Sequence, residues 1–203
     1  MYNLAEIKPM SELDLVSACI KNEKTAKQEF FEKYYCTLAY TALRYSKNKQ
    51  QAEPAILSGF SHIFSQLPQF KSQQKLSLDE FINSIFIPHI VAYIKSIRNE
   101  YYVASTIKAV ETKNTSYDLF LDSKYIDVRN INQQVLLKSI QELVPSQRVV
   151  FNLNVIDGYN LTEMSELLET SEQTIKANLE KARFNLQKAI EQNLKLSSDE
   201  QPV

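Results

Sequence analysis

Six polar side chains near the C-terminus, Gln173, Thr174, Lys176, Asn178, Lys181 and Arg183, fall on the outward face and flanks of a helix whose apolar stripe is Ile175, Leu179, Ala182 and Leu186. Amides and hydroxyls can read base edges, and cations can hold phosphates, so this set is suited to nucleic-acid chemistry. Lys176, Lys181 and Arg183 are the phosphate candidates; Gln173, Thr174 and Asn178 are the base-edge candidates. Four basic residues against two acidic ones give the stretch from Ser171 to Ile190 a charge of +2, whereas the stretch from Ser139 to Glu191 totals -3 with five basic and eight acidic residues. The whole 203-residue chain carries a formal net charge of -1, so attraction to a polyanion has to be local.

Other chemistries find little material. His62 and His89 are twenty-seven positions apart without a companion ligand, and Cys19 and Cys36 have no metal-ligand spacing and read as buried reduced thiols. Gly occurs only at positions 59 and 158, which excludes a Gly-rich phosphate loop, and there is no Gly-x-Ser-x-Gly. Asp79-Glu80 and Asp199-Glu200 read as solvated helix starts or tails. The tyrosines at 34, 35, 40 and 45 read as core and surface and not as a stacking platform. The expectation is a binding protein, not an enzyme, with neither metal nor cofactor. No secretory signal opens the chain, and its longest apolar run, Phe81 to Ile94, is interrupted and shorter than the ~20 residues of a membrane span, so a cytoplasmic protein without membrane insertion is expected.

Helical periodicity supplies the elements that must position these residues. Ser11 and Glu12 open a first helix with Leu13, Val16 and Ile20 inward; Phe30, Tyr34 and Leu38, widened by Phe31 and Tyr35, mark a second. Ile56, Phe60, Ile63, Phe64 and Leu67 mark a third, expected to end at Pro68, and Phe81, Ile82, Ile85, Ile90, Val91 and Ile94 a fourth with Pro88 inside it. Residues 99–134 lose the period and read as a linker. Val135, Leu136, Ile140 and Leu143 form a helix ended near Pro145, and Val149, Val150, Leu153 and Ile156 form one closed by Asp157-Gly158. Asn160 and Glu163 have capping-box spacing before Met164, Leu167 and Leu168, and Ser171 can cap the helix that follows. Two helices on a three-to-four-residue turn outline a helix-turn-helix. The fold expected is all-α: two small helical domains joined by a flexible linker, the first over 1–98, the second a helix-turn-helix domain over 135–191, then a polar tail over 192–203.

The run from Glu142 to Ile190 resembles the promoter-reading C-terminal domain of bacterial extracytoplasmic-function sigma factors. Leu143, Pro145, Arg148, Phe151, Gly158-Tyr159, Met164 and Leu168 are followed in order by Ser171, Thr174, Ile175, Lys176, Leu179, Ala182 and Arg183. The segment 11–98 is similar to the family's other helical domain, through Ala26, Phe30, Tyr34, Tyr35, Ala52-Glu53, Phe60, Ile63 and Phe64. The resemblance implies core RNA polymerase and promoter DNA as partners, together with an anti-sigma protein. It implies polymerase contacts from Glu53, Ile56, Leu57, Phe60 and Phe64, with Leu57 as the anchor that stands where the family carries a polar clamp contact. It further implies promoter melting by Phe81, Tyr93, Lys95 and Arg98. The family's acidic and amide clamp residues are replaced by Gln51, Pro54, Leu57 and Ser58, and its helix-ending Gly in the hairpin turn by Glu169. The alternative is a diverged sigma-like regulator that works through protein contacts without promoter melting.

Overall fold

The computed structural model describes residues 11–73, 76–97 and 131–199. Among them every element is a helix: α1 (Glu12–Ile20), α2 (Lys24–Tyr45), α3 (Lys49–Gln73), α4 (Leu78–Ser96), α5 (Gln133–Glu142), α6 (Pro145–Phe151), α7 (Leu161–Leu168) and α8 (Glu172–Asp199). Arg98 and the stretch from 99 to 130 lie outside the described residues, so the expected linker is described only at its C-terminal end, where α5 already begins.

Local chemistry accounts for several starts. The first four N–H groups of a helix lack an internal partner, so a side-chain acceptor is favoured there. Ser11 Oγ accepts from Asp14 N at 3.2 Å, Asn132 Oδ1 from Gln134 N at 2.8 Å, and Ser171 Oγ from Thr174 N at 3.2 Å. Two helices carry the full reciprocal box, Ser77 with Glu80 on α4 and Asn160 with Glu163 on α7. Glu80 is held below its usual range, chiefly by the Ser77 backbone N–H and then by the Ser77 hydroxyl.

The first four helices pack around Val16, Phe30, Leu38, Ile63, Phe86 and Ile90, all essentially inaccessible. α3 and α4 approach closely because Gly59 has no side chain: a Cβ there would stand 2.4 Å from the Phe86 ring. Pro68 does not end α3 as the sequence suggested, since the helix continues to Gln73. An interior proline costs about 3 kcal/mol. Burial of Phe70, with its ring 5.1 Å from that of Phe81, contributes roughly 1.5–3 kcal/mol and offsets it. Leu13 is 49% exposed, and Leu15 takes its place in the core; Ile156, expected inward, is 44% exposed.

α6 widens after Phe151 into a π-helical turn over Asn152–Ile156, and Gly158 takes a positive φ of 76° to end it. α8 runs beyond the expected domain end: Asn193, placed by sequence in a polar tail, is buried and donates to Ser139 Oγ at 3.1 Å. Ile140, Leu143, Phe151, Ala182, Leu186 and Ile190 form a second core. Other buried apolar residues between α6 and α8, including Val149, Leu153, Met164, Ile175 and Leu179, join the first core in one continuous cluster. The two helical units are therefore packed together, which the sequence did not indicate.

Candidate nucleic-acid interface

α8 is anchored at both ends of its inward stripe. Ile175 and Leu179 enter the first cluster, Ala182 and Leu186 the second. This fixes the rotation of the helix and leaves Gln173, Thr174, Lys176, Lys181 and Arg183 exposed, with Asn178 half-buried. The three cations are therefore accessible, Lys176 and Arg183 along one flank of the helix and Lys181 on the other. Their neighbours modulate them. Lys176 Nζ lies 4.0 Å from Glu172, an exposed pair of little energetic weight. Asn178 donates to the Thr174 carbonyl at 3.0 Å, so its amide is engaged on its own helix. Thr174 Oγ1 stands 2.9 Å from the capping Ser171 hydroxyl.

The turn before α8 is tight. Glu169 adopts φ 54°, ψ 44°, in the left-handed region, and the Glu169 and Thr170 N–H groups both donate to the Ser165 carbonyl. Ser165 Oγ returns a bond to the Thr170 carbonyl at 2.6 Å. Thr162 at the start of α7 donates to Glu172 at 2.9 Å, tying the beginnings of the two helices. α7 presents Thr162, Glu163 and Glu166 outward, so this first helix of the pair is acidic where the second is basic.

This geometry sits within the segment 133–186, which matches the protein family described as "Sigma-70, region 4". The match covers about a quarter of the chain, from α5 into α8. Comparison with curated proteins finds no match. Among solved structures, the chain matches one titled "Structure of CnrH in complex with the cytosolic domain of CnrY" at 14% identity, covering 88% of this chain and 96% of that one, with a TM-score of 0.44.

Outside the matched segment the expected site residues are scattered in character. Of the polymerase set, Ile56 and Phe60 are buried at 4% and 3%, and Phe64 is half-buried with its ring 5.3 Å from that of Phe30, so these three are core. Leu57 is 64% exposed, and Glu53 is exposed beside Lys49. Of the melting set, Phe81 is half-buried against Phe70, and Tyr93 packs on the first core. Lys95 Nζ turns to the end of α7, 3.4 Å from the Leu168 carbonyl and 3.3 Å from Glu169 Oε1. His62 and His89 stack at 5.3 Å, with His89 Nε2 2.9 Å from Ser58 Oγ. Burial first, and then His62, holds His89 below its usual value. Among the described residues no three His, Cys, Asp or Glu side chains gather to hold a metal ion, and no helix is long and apolar enough to cross a membrane.

Sequence reasoning missed one cluster. Arg44 is buried and grips Asp157 with both guanidinium nitrogens, while Tyr45 Oη donates to the same carboxylate at 2.6 Å. Arg44 Nη1 also donates to Asn152 Oδ1 at 3.0 Å. Burial opposes the Arg44 charge, but the Asp157 hydrogen bonds and charge outweigh it and keep the guanidinium protonated. Burial, reinforced by the Asp157 carboxylate, pushes Tyr45 well above its ordinary value, so its hydroxyl remains a donor. In the sequence, Arg44 reads as a cation at a helix end and Asp157 as part of an Asp-Gly stop; nothing in either pattern pairs them across 113 positions.

Proposed function

We propose that the chain is a diverged sigma factor of the extracytoplasmic-function type, which binds core RNA polymerase and directs it to specific promoters. The observation that carries this is the segment matching region 4, in which α8 turns Lys176, Lys181 and Arg183 to solvent. On this reading α8 reads the upstream promoter element, with the cations on phosphates and Gln173 and Thr174 nearest the bases. Asn178 joins them once its amide leaves the Thr174 carbonyl. The first unit, 1–98, binds polymerase through Leu57 and Glu53 on the outer face of α3 and melts DNA with Phe81, Tyr93, Lys95 and Arg98. Residues 99–134 connect it to the region 4 domain. The protein acts in the cytoplasm by binding and not by catalysis, and an anti-sigma protein is its natural regulator.

The test is retention of the purified full chain by core RNA polymerase, followed by selection of DNA fragments from a genomic pool by the assembled complex. Co-purification and enrichment of a common upstream element are expected. Failure to co-purify would overturn the proposal. A second reading, a sigma-like regulator that works through protein contacts alone, draws support from the acidic outward face of α7, where Glu163 and Glu166 would lie near phosphates. It predicts polymerase or protein binding without enrichment of any element.

A further inference from the structure

The join between the two helical units is built from groups that normally look for water. The last carbonyls of a helix have no internal donor. At the end of α2, the Leu43 carbonyl accepts from Gln141 Nε2 at 3.0 Å and the Arg44 carbonyl from Asn152 Nδ2 at 2.8 Å, so the second unit caps a helix of the first. Beside these bonds Asp157 takes both Arg44 nitrogens and the Tyr45 hydroxyl, with side-chain exposures of 6% for Arg44 and 9% for Asp157. At the other edge of the same join, Lys95 points to the Leu168 carbonyl and Glu169 with its side chain 24% exposed, so its ammonium faces the end of α7 instead of open solvent.

We propose that Arg44, Tyr45, Asn152 and Asp157 form a latch that holds the two units closed, and that the end of α4 engages nucleic acid only after the latch opens. The apolar cluster shared by the units makes the closed form the resting one. The latch is its exchangeable part, because a separated guanidinium, carboxylate and pair of amides regain full hydration. The nucleic-acid half of this proposal rests on the sigma-factor reading; the latch itself does not.

The experiment uses the full chain, with one dye on exposed Cys36 and another on Lys188→Cys in α8, Cys19 being buried. Energy transfer in single molecules is expected to give one high-transfer population. Asp157→Asn, and Tyr45→Phe as the milder change that removes only a hydroxyl, should each raise a low-transfer population about tenfold, which corresponds to about 1.4 kcal/mol, with helical circular dichroism retained. In chains without dyes, acylation followed by mass spectrometry should modify Lys95 several-fold more slowly than exposed Lys181, and the latch variants should narrow that gap. Affinity for a single-stranded oligonucleotide pool should rise in the latch variants and fall back when Lys95→Ala is added. A wild-type chain already in low transfer, or latch variants that change neither distance nor Lys95 acylation, would overturn the latch. Variants that open and free Lys95 without gaining oligonucleotide affinity would overturn the nucleic-acid half and the melting role of α4, while distance and acylation still support the latch.

Discussion

Glu169 is a side chain in a place that suits glycine. Its φ of 54° puts Cβ against its own carbonyl, which costs an ordinary L-residue about 1–2 kcal/mol. Its ion pair with Lys95 returns little, because the Glu169 side chain is 83% exposed. Glu169→Gly is therefore expected to raise stability by about 0.5–1 kcal/mol, part of the relief being offset by the freer unfolded chain. Denaturant unfolding measures it, and a lower midpoint would mean that the carboxylate matters more than the backbone. At Lys176 the expected effect is on binding and not on folding, since the side chain is exposed. Lys176→Ala should weaken DNA binding across all sequences and reduce the salt slope by about one, as expected for one lost phosphate contact. A drop confined to one promoter, with the slope unchanged, would reassign Lys176 to base contact.

α3 illustrates how an element sorts its residues. The family resemblance offered five polymerase contacts, and the rotation of the helix turns Ile56 and Phe60 inward, leaving Leu57 as an apolar side chain at 64% exposure. A lone exposed leucine is ordinary, but one seated where a binding contact is expected has the character of a hot spot worth about 2 kcal/mol. Leu57→Asp should leave helical circular dichroism unchanged and reduce retention by core polymerase about thirty-fold, the equivalent of that energy. Retention equal to wild type would remove α3 from the interface. The helices themselves were legible because stripes and caps are local: the Asn160 and Glu163 box and the Ser171 cap lie where their spacing put them. What escaped was decided by tertiary contact. Pro68 reads as a stop, yet Phe70 gains enough from packing to carry the helix past it, and Leu13 satisfies the period while Leu15 faces the neighbouring helices.

For the molecule as a whole, the sequence spoke for two independent units, because hydrophobic periodicity says nothing about which polar side chains meet. The join depends on Arg44, Gln141, Asn152 and Asp157, each of which looks like a surface residue in isolation. A shared apolar cluster and a buried charge pair should make the chain unfold as one body. Calorimetry of the wild type is expected to give a single transition with equal calorimetric and van 't Hoff enthalpies. Arg44→Ala leaves Asp157 buried without its cation, a loss of about 3–5 kcal/mol that falls on the join, and should split the transition in two. Two transitions already in the wild type would refute the coupling.

Asp157 reaches Arg44 only because the backbone before it winds wide: its N–H bonds to the Asn152 carbonyl five residues back at 2.9 Å, one residue more than an ordinary helical turn contains. In hereditary terms that surplus residue is a single codon. Removing exposed Val155 would let the turn close to regular pitch and swing Asp157 by about 100° away from the guanidinium. Such a chain is expected to keep its helical circular dichroism and to show the low-transfer population without any partner present; an unchanged distance between the dyes would sink the idea. Self-closure then becomes a trait that a lineage gains or sheds in one mutational step, with every other residue of both units left as it was.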